Sequence, residues 1–320
     1  MSNDVLHRLA ALLLTGVLAL PAVASTGEPA IFARVGDTVI TMEELEAAYR
    51  LGVRQRFYHG KVPEERLAAY RKEVGQRLID RVLLLQEARR RGIEPDEAWV
   101  ARQLRSYLER YRRNGAWRGR EEALEAGLRQ MLEEQSLLAR LEAAVREVGP
   151  LDEAEVRAYY EAHPEKFTTP AAQRVSMILL KVDPASPAQA WEAAEAEARD
   201  LLRRLAKGAD FATLARIHSA DASAARGGDL GWQHEGMLAP AAEAILAELE
   251  PGQVSEPVAL LQGVALLRLE ARRPPRLNPF EQVRERAEKL LRRERAEAAW
   301  AAFLTDLRQR SQVVMVQPGQ

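Results

Sequence analysis

The chain has 320 residues, with 46 Lys and Arg against 47 Asp and Glu, five histidines and no cysteine. That length leaves room for two or more domains with cores of their own, and the near-neutral balance argues against a dedicated nucleic-acid or membrane-surface binder. Without cysteine there is no disulfide, thiol nucleophile, thiolate metal site or lipid-modified amino-terminal Cys, and His7, His59, His163, His218 and His234 never fall three to five apart, which disfavours a zinc or di-iron centre.

After Arg8 an apolar stretch, Leu9 to Leu20, runs into Pro21 and the small-x-small triplet Ala22-Val23-Ala24. It is shorter than the roughly 20 residues of a spanning helix and has the form of a secretory signal. Residues 1–24 are therefore predicted to be a signal peptide cleaved after Ala24, with an uncleaved anchor as the alternative. The mature chain is expected to be periplasmic or secreted, with no integral membrane segment after cleavage. An exported chain without cysteine cannot be trapped by wrong disulfides, which suits a bacterial periplasm.

Ile31 to Val35 and Thr38 to Ile40 flank a Gly36-Asp37 turn, the signature of a hairpin. Thr41 with Glu44 three residues on is a capping box that opens a helix. In QRLIDRVLLLQEARRRG, Leu78, Ile79, Val82, Leu83 and Leu85 share a helical face, three arginines fill the last turn, and Gly92 ends it. Further helices are predicted from about Glu97 to Tyr111 and from about Glu121 to Arg146, the latter closed by Gly149-Pro150. Between them RYRRNGAWRGR, residues 110–120, reads as a solvated loop around an Asn-Gly turn, with a nucleic-acid patch as the disfavoured alternative. Leu151-Asp152-Glu153 restarts a helix that ends near His163-Pro164, because a residue before proline is pushed out of the helical region.

The texture then changes. RVSMILLKV, residues 174–182, reads as a strand buried on at least one face. A long helix to Gly208 follows, then one capped by Asp210, the loop SADASAARGGDLGW (219–232), a short helix from Ala241 to Leu249, a Pro251-Gly252 turn, and a strand from Gly263 to Leu269. This order predicts a small α+β domain. In the loop Gly227 and Gly228 supply backbone angles closed to other residues, Asp229 can satisfy turn amides, and Gly231-Trp232 returns the chain to the sheet.

FATLARIHSADASAARGGDLGW, PGQVSEPV and the closing G-x-x-Leu-Leu-x-Leu strand resemble the parvulin-type (PpiC-like) peptidyl-prolyl isomerase domain over Arg174 to Arg273. The flanks VGDTVITMEEL, LIDRVLLLQEARRRGI and EVRAYYEAHPEKF resemble the SurA and PrsA class of periplasmic folding factors. The resemblance implies an α+β fold in which amino-terminal helices and a carboxy-terminal helix, here about Pro279 to Arg310, form one chaperone module with the parvulin domain inserted. The stripe Trp300, Phe303, Leu304 and Leu307 supports such docking. The expected division is 1–24 signal peptide, 25–150 helical module, 151–170 connecting helix, 171–273 parvulin-like domain, and 274–320 carboxy-terminal helix and tail.

Isomerising an X-Pro bond crosses a barrier of about 20 kcal/mol, and only groups that favour the twisted amide over the planar forms lower it. The family resemblance implies two histidines on adjacent strands, a Cys or Asp, a hydroxyl, and a Met-plus-Phe cup for the proline ring. Here the histidine positions fall on Met177 and Ala265, the hydroxyl on Gln262, the cup methionine on Leu238 and the cup aromatic on Ala242; the acid position is kept as Asp221. Replacing both histidines together leaves neither partner unsatisfied, while the loss at Ala242 removes about 1.5–3 kcal/mol of burial for a ring. Asp221 is thus the one candidate catalytic residue, with Met177, Leu238, Ala242, Gln262 and Ala265 as candidate substrate-binding positions. His218 is expected to pack at a helix end and His234 to face solvent. The segment from Lys181 lacks the clustered arginines that would select a phosphorylated substrate.

The reading is a periplasmic folding factor that binds unfolded or proline-containing polypeptide, envelope or secreted proteins among them, with weak or absent isomerase activity. It needs no cofactor or metal and binds no nucleic acid. An active isomerase with an unusual site, and a scaffold dedicated to one partner, are the alternatives.

Overall fold

The computed structural model describes residues 29–57, 62–114 and 121–316. The expected signal peptide and its cleavage point, His7, His59 and residues 115–120 of the basic loop lie outside the described residues. The chain divides into two units: one runs to Leu151 and resumes at Lys289, and the other is Asp152–Glu288.

In the first unit β1 (Ile31–Val35) and β2 (Thr38–Thr41) form the antiparallel hairpin expected around Gly36-Asp37. Thr41 caps α1 (Met42–Arg56): its hydroxyl accepts the Glu44 N–H at 3.1 Å and the Glu44 carboxylate accepts the Thr41 N–H at 2.7 Å. Two otherwise unpaired amides are satisfied by one reciprocal contact. α2 (Glu64–Arg90) ends before Gly92, whose φ is +67°, and is followed by α3 (Glu97–Asn114) and α4 (Glu121–Val145). Ala33, Val35 and Ile40 of the hairpin, Ile79, Leu83 and Leu84 of α2, and Leu141 of α4 are buried with Trp300 and Leu307. The last two belong to α10 (Phe280–Arg310). After that helix the chain adds β9 (Val313–Met315) to β1, a strand that three residues are too few to announce by periodicity.

Buried charge in this unit is paired, as it must be to be tolerated. Asp80 accepts two hydrogen bonds from Arg308, at 2.8 and 2.6 Å. Glu87 accepts from Arg90, Arg91 and Arg310. Its pKa is drawn down to about 2, first by the Arg90 guanidinium and then by Arg91 and Arg310, against the opposing effect of burial.

The second unit opens with α5 (Glu153–Ala162), capped by Asp152, and the single turn α6 (Pro164–Phe167). β3 (Thr168–Thr169) pairs with β8 (Arg276–Leu277) where the chain enters and leaves the main sheet. That sheet is antiparallel throughout, in the order β5-β4-β7-β6, from β4 (Ala172–Lys181), β5 (Asp229–His234), β6 (Val258–Leu260) and β7 (Gly263–Arg273). The predicted loop 219–232, which returns to the sheet at Gly231-Trp232, ends among residues 229–234. They form β5 because β4 offers its edge, although a polar, glycine-containing run shows no apolar alternation. α7 (Ala188–Ala206) and α8 (Phe211–His218) cover one face, with Ala198, Leu201, Phe211 and Leu214 against Ile178, Leu180, Val264 and Leu266. α9 (Pro240–Glu248) covers the other, so β4 is buried on both faces. The fold is therefore mostly helical with small antiparallel sheets, and among the described residues no helix is long and apolar enough to cross a membrane.

Candidate functional site

The loop 219–232 is built around β4. Ser219 Oγ accepts the Leu179 N–H at 3.1 Å, and the Ala220 N–H donates to Leu179 O at 2.8 Å. Asp221 then caps a 3-10 turn, Ala222–Arg226, by accepting the Ser223 N–H at 2.8 Å. Gly228 follows at φ +83°, and a Cβ there would fall 2.5 Å from Met177 O, while its own carbonyl accepts the Met177 N–H at 2.9 Å. Only a residue without a side chain lies this flat on the strand. Asp229 accepts the Gly231 N–H at 2.8 Å and Arg174 at 2.6 Å. The Arg174 hydrogen bond holds the Asp229 carboxyl below the usual carboxylate range. Trp232 stands opposite Arg174 on β4, with the Arg273 guanidinium 3.7 Å from its ring centroid.

On the α9 face of the sheet Met177 is paired with Leu267, and Leu179 with Ala265. Met177 and Ala265 thus share a face but stand diagonally, one pair apart, instead of facing each other. A bulge between Arg174 and Val175 sets this register. Ala242 and Leu246 of α9 close over them, and Leu238 packs at the margin. Both ends of α9 are fixed. The Glu243 carboxylate accepts the N–H groups of Gly236 and Leu238 at 2.6 and 3.2 Å, and Arg272 donates to the carbonyls of Leu246, Ala247 and Leu249 at the other end.

Of the positions singled out in the sequence, Met177, Leu238, Ala242 and Ala265 therefore lie in one cluster, with Met177, Ala242 and Ala265 buried. Asp221 and Gln262 are not part of it: Asp221 spends its carboxylate on the loop, and Gln262 is exposed in the β6–β7 turn, its carbonyl accepting the Val182 N–H at 3.0 Å. The cluster, from Val175 to Leu269, consists of aliphatic side chains and one thioether. Met177, Ala242 and Ala265 bring to it no ring and no side-chain N–H or O–H, while buried Ser255 lies beside it, its Oγ accepting the Leu267 N–H at 3.0 Å. His218 ends α8 with Nδ1 3.0 Å from Glu197 Oε1, and exposed His234 has Nδ1 3.2 Å from Ala171 O. Neither belongs to the cluster. Glu243 and Arg272 escaped the sequence reading. A Glu in the first turn after Pro240 is a local hint of the former, but Arg272 reaches its carbonyls across more than twenty residues and leaves no local sign.

Residues 151–285 match the family described as the PPIC-type PPIASE domain, and residues 5–145 match the SurA-like N-terminal domain. A Chaperone SurA of Albidiferax ferrireducens is 42% identical over 157 residues, which are 48% of this chain and 32% of that protein. A Chaperone SurA of Thiobacillus denitrificans is 31% identical over 249 residues, 75% of this chain and 56% of that one. The chain thus spans about a third of the first relative's length and about half of the second's. A solved SurA-like chaperone structure from Campylobacter jejuni, 20% identical, aligns over 90% of this chain and 100% of its own with a TM-score of 0.39.

Proposed function

We propose that this chain, whose residues 151–285 belong to the PPIC-type PPIase domains and whose residues 5–145 belong to the SurA-like N-terminal domains, is a folding factor that binds unfolded polypeptide and has little or no isomerase activity. The observation that carries the second half is the apolar cluster in which Met177, Ala265 and Ala242, none with a side-chain N–H or O–H, hold the histidine and cup-aromatic positions. A twisted amide gains nothing from it beyond what a planar amide gains, and uniform binding does not lower a barrier. Peptide binding asks less: apolar contact and an accessible backbone suffice. Residues 171–273 are read as the parvulin-like part and 25–150 with the carboxy-terminal helix as the chaperone module. The apolar segment Leu9 to Leu20 supports export to the periplasm with residues 1–24 removed, which sequencing the amino terminus of the exported protein checks.

The test is exchange NMR of a Xaa-Pro tetrapeptide with the full chain, beside light scattering of an aggregating unfolded protein. The expected result is suppression of aggregation with no acceleration of cis/trans exchange. Accelerated exchange by the natural chain would overturn the non-catalytic reading.

A further inference from the structure

The balanced total charge conceals one local excess: residues 101–120 hold seven arginines against a single acid, Glu109. The described part of this segment belongs to α3, which buries Val100, Leu104 and Leu108 against Leu128 and Leu132 of α4. That stripe fixes the phase of the helix. Arg102, Arg105, Glu109 and Arg112 recur at spacings of three and four residues on the side turned away from α4, and all are exposed. Exposed Arg110 flanks them, its guanidinium 5.4 Å from the Tyr107 ring centroid. Elsewhere the helices pair such arginines with an acid one turn away, as Arg146 with Glu142, Arg157 with Glu153 and Arg199 with Glu195. Arg102, Arg105, Arg110 and Arg112 make no ion pair among the described residues, although Glu109 lies one turn from Arg105 and from Arg112.

We propose that this face of α3 is a peripheral docking surface for an anionic lipid bilayer, held by arginine against phosphodiester headgroups. Charge and shape select the partner together. The arginines span about 15 Å of helix, along a convex face with no apolar side chain among them: its outward positions are Arg102, Arg105, Ser106, Glu109 and Arg112. An acidic polypeptide would need a groove or apolar anchors to offset its own ordering. A bilayer surface needs neither, because its headgroups are many, mobile and arrayed in a plane, and it attracts each nearby cation. The acids of α4 do not cancel this field. By the same helical phase Glu122 and Glu133 fall on the outer side of α4, about 20 Å away across two helix diameters, against a screening length of about 8 Å in physiological salt. Among the described residues no helix is long and apolar enough to cross a membrane, so the contact is with the bilayer surface. It does not depend on whether the chain binds unfolded polypeptide.

The test is cosedimentation with vesicles of phosphatidylcholine alone or with about one-third phosphatidylglycerol. It uses the chain lacking residues 1–24, so that the apolar stretch Leu9 to Leu20 cannot insert. Each cation near an anionic surface raises the partition coefficient about fivefold. Four arginines net of Glu109 therefore predict about a hundredfold preference for the anionic vesicles, lost in about 1 M salt, where the screening length falls to about 3 Å. Arg102→Gln with Arg105→Gln should weaken binding about twenty-five-fold. Glutamine is a good helix former, and an unchanged circular dichroism spectrum checks that α3 is kept. Arg199→Gln with Arg203→Gln removes the same charge from arginines paired with acids in the second unit, and should weaken binding less than about twofold. Equal binding to the two kinds of vesicle, or an equal loss in the two double variants, would overturn the proposal. So would binding of polyglutamate that requires Arg102 and Arg105, with no preference for anionic vesicles, which would assign the face to an acidic polypeptide.

Discussion

Gly228 and Glu87 are the two positions where a single side chain decides most. A methyl at residue 228 would meet Met177 O at 2.5 Å with the backbone at φ +83°, so the loop must lift off β4 or the strand must bend. Gly228→Ala is expected to cost about 1–3 kcal/mol, read as a lower denaturation midpoint of the second unit. Glu87 sets a pH window. Its folded pKa lies near 2 against an ordinary 4.5, so the carboxylate's pairing is fully present above about pH 4.5 and is lost as pH falls through about 2. Melting temperatures of the natural chain should drop across that window, and Glu87→Gln should flatten the drop while lowering stability at neutral pH. Part of this was legible. Consecutive glycines followed by Asp announce positive φ and a side-chain-capped turn. The diagonal offset of Met177 and Ala265 was not, because register depends on a bulge and on the partner strand.

At the scale of elements, α9 shows how a helix with a weak apolar pattern is kept in place. Its packing surface is Ala242 and Leu246, so the bonds at its ends matter more than they would for a long amphipathic helix. Arg272→Ala removes the donor to the carbonyls of Leu246, Ala247 and Leu249. The expected cost is about 1 kcal/mol, with faster hydrogen exchange in α9 than in β4. Elements with long periodic patterns or paired caps were legible. α2 carries its leucine stripe, and α1 and α8 carry Thr41 and Asp210 at their starts. β5, β6 and β9 escaped the reading because each has six residues or fewer and lacks clean alternation. Their pairing is supplied by β4, β7 and β1, and such tertiary rescue is invisible to local pattern.

For the whole molecule the consequence lies in the order of the chain. The first unit is discontinuous, with Trp300 and Leu307 of α10 buried among residues that precede Leu151. Arg308 and Arg310 pair with Asp80 and Glu87 in the same unit. Its core is complete only when the carboxy-terminal helix has arrived, and closing so long a loop is slow compared with contacts made inside the second unit. Trp300→Ala is expected to remove about 3–5 kcal/mol from the first unit while leaving Asp152–Glu288 intact. Hydrogen exchange resolved by peptide checks this directly: protection should fall in α2, α4 and the β1–β2 hairpin and persist in β4 and β7. A uniform loss through both units would mean that they unfold as one. In pulsed refolding the same logic places protection of β4 and β7 ahead of α2, because every partner of the main sheet lies between Asp152 and Glu288 whereas the helical unit waits for residues beyond it.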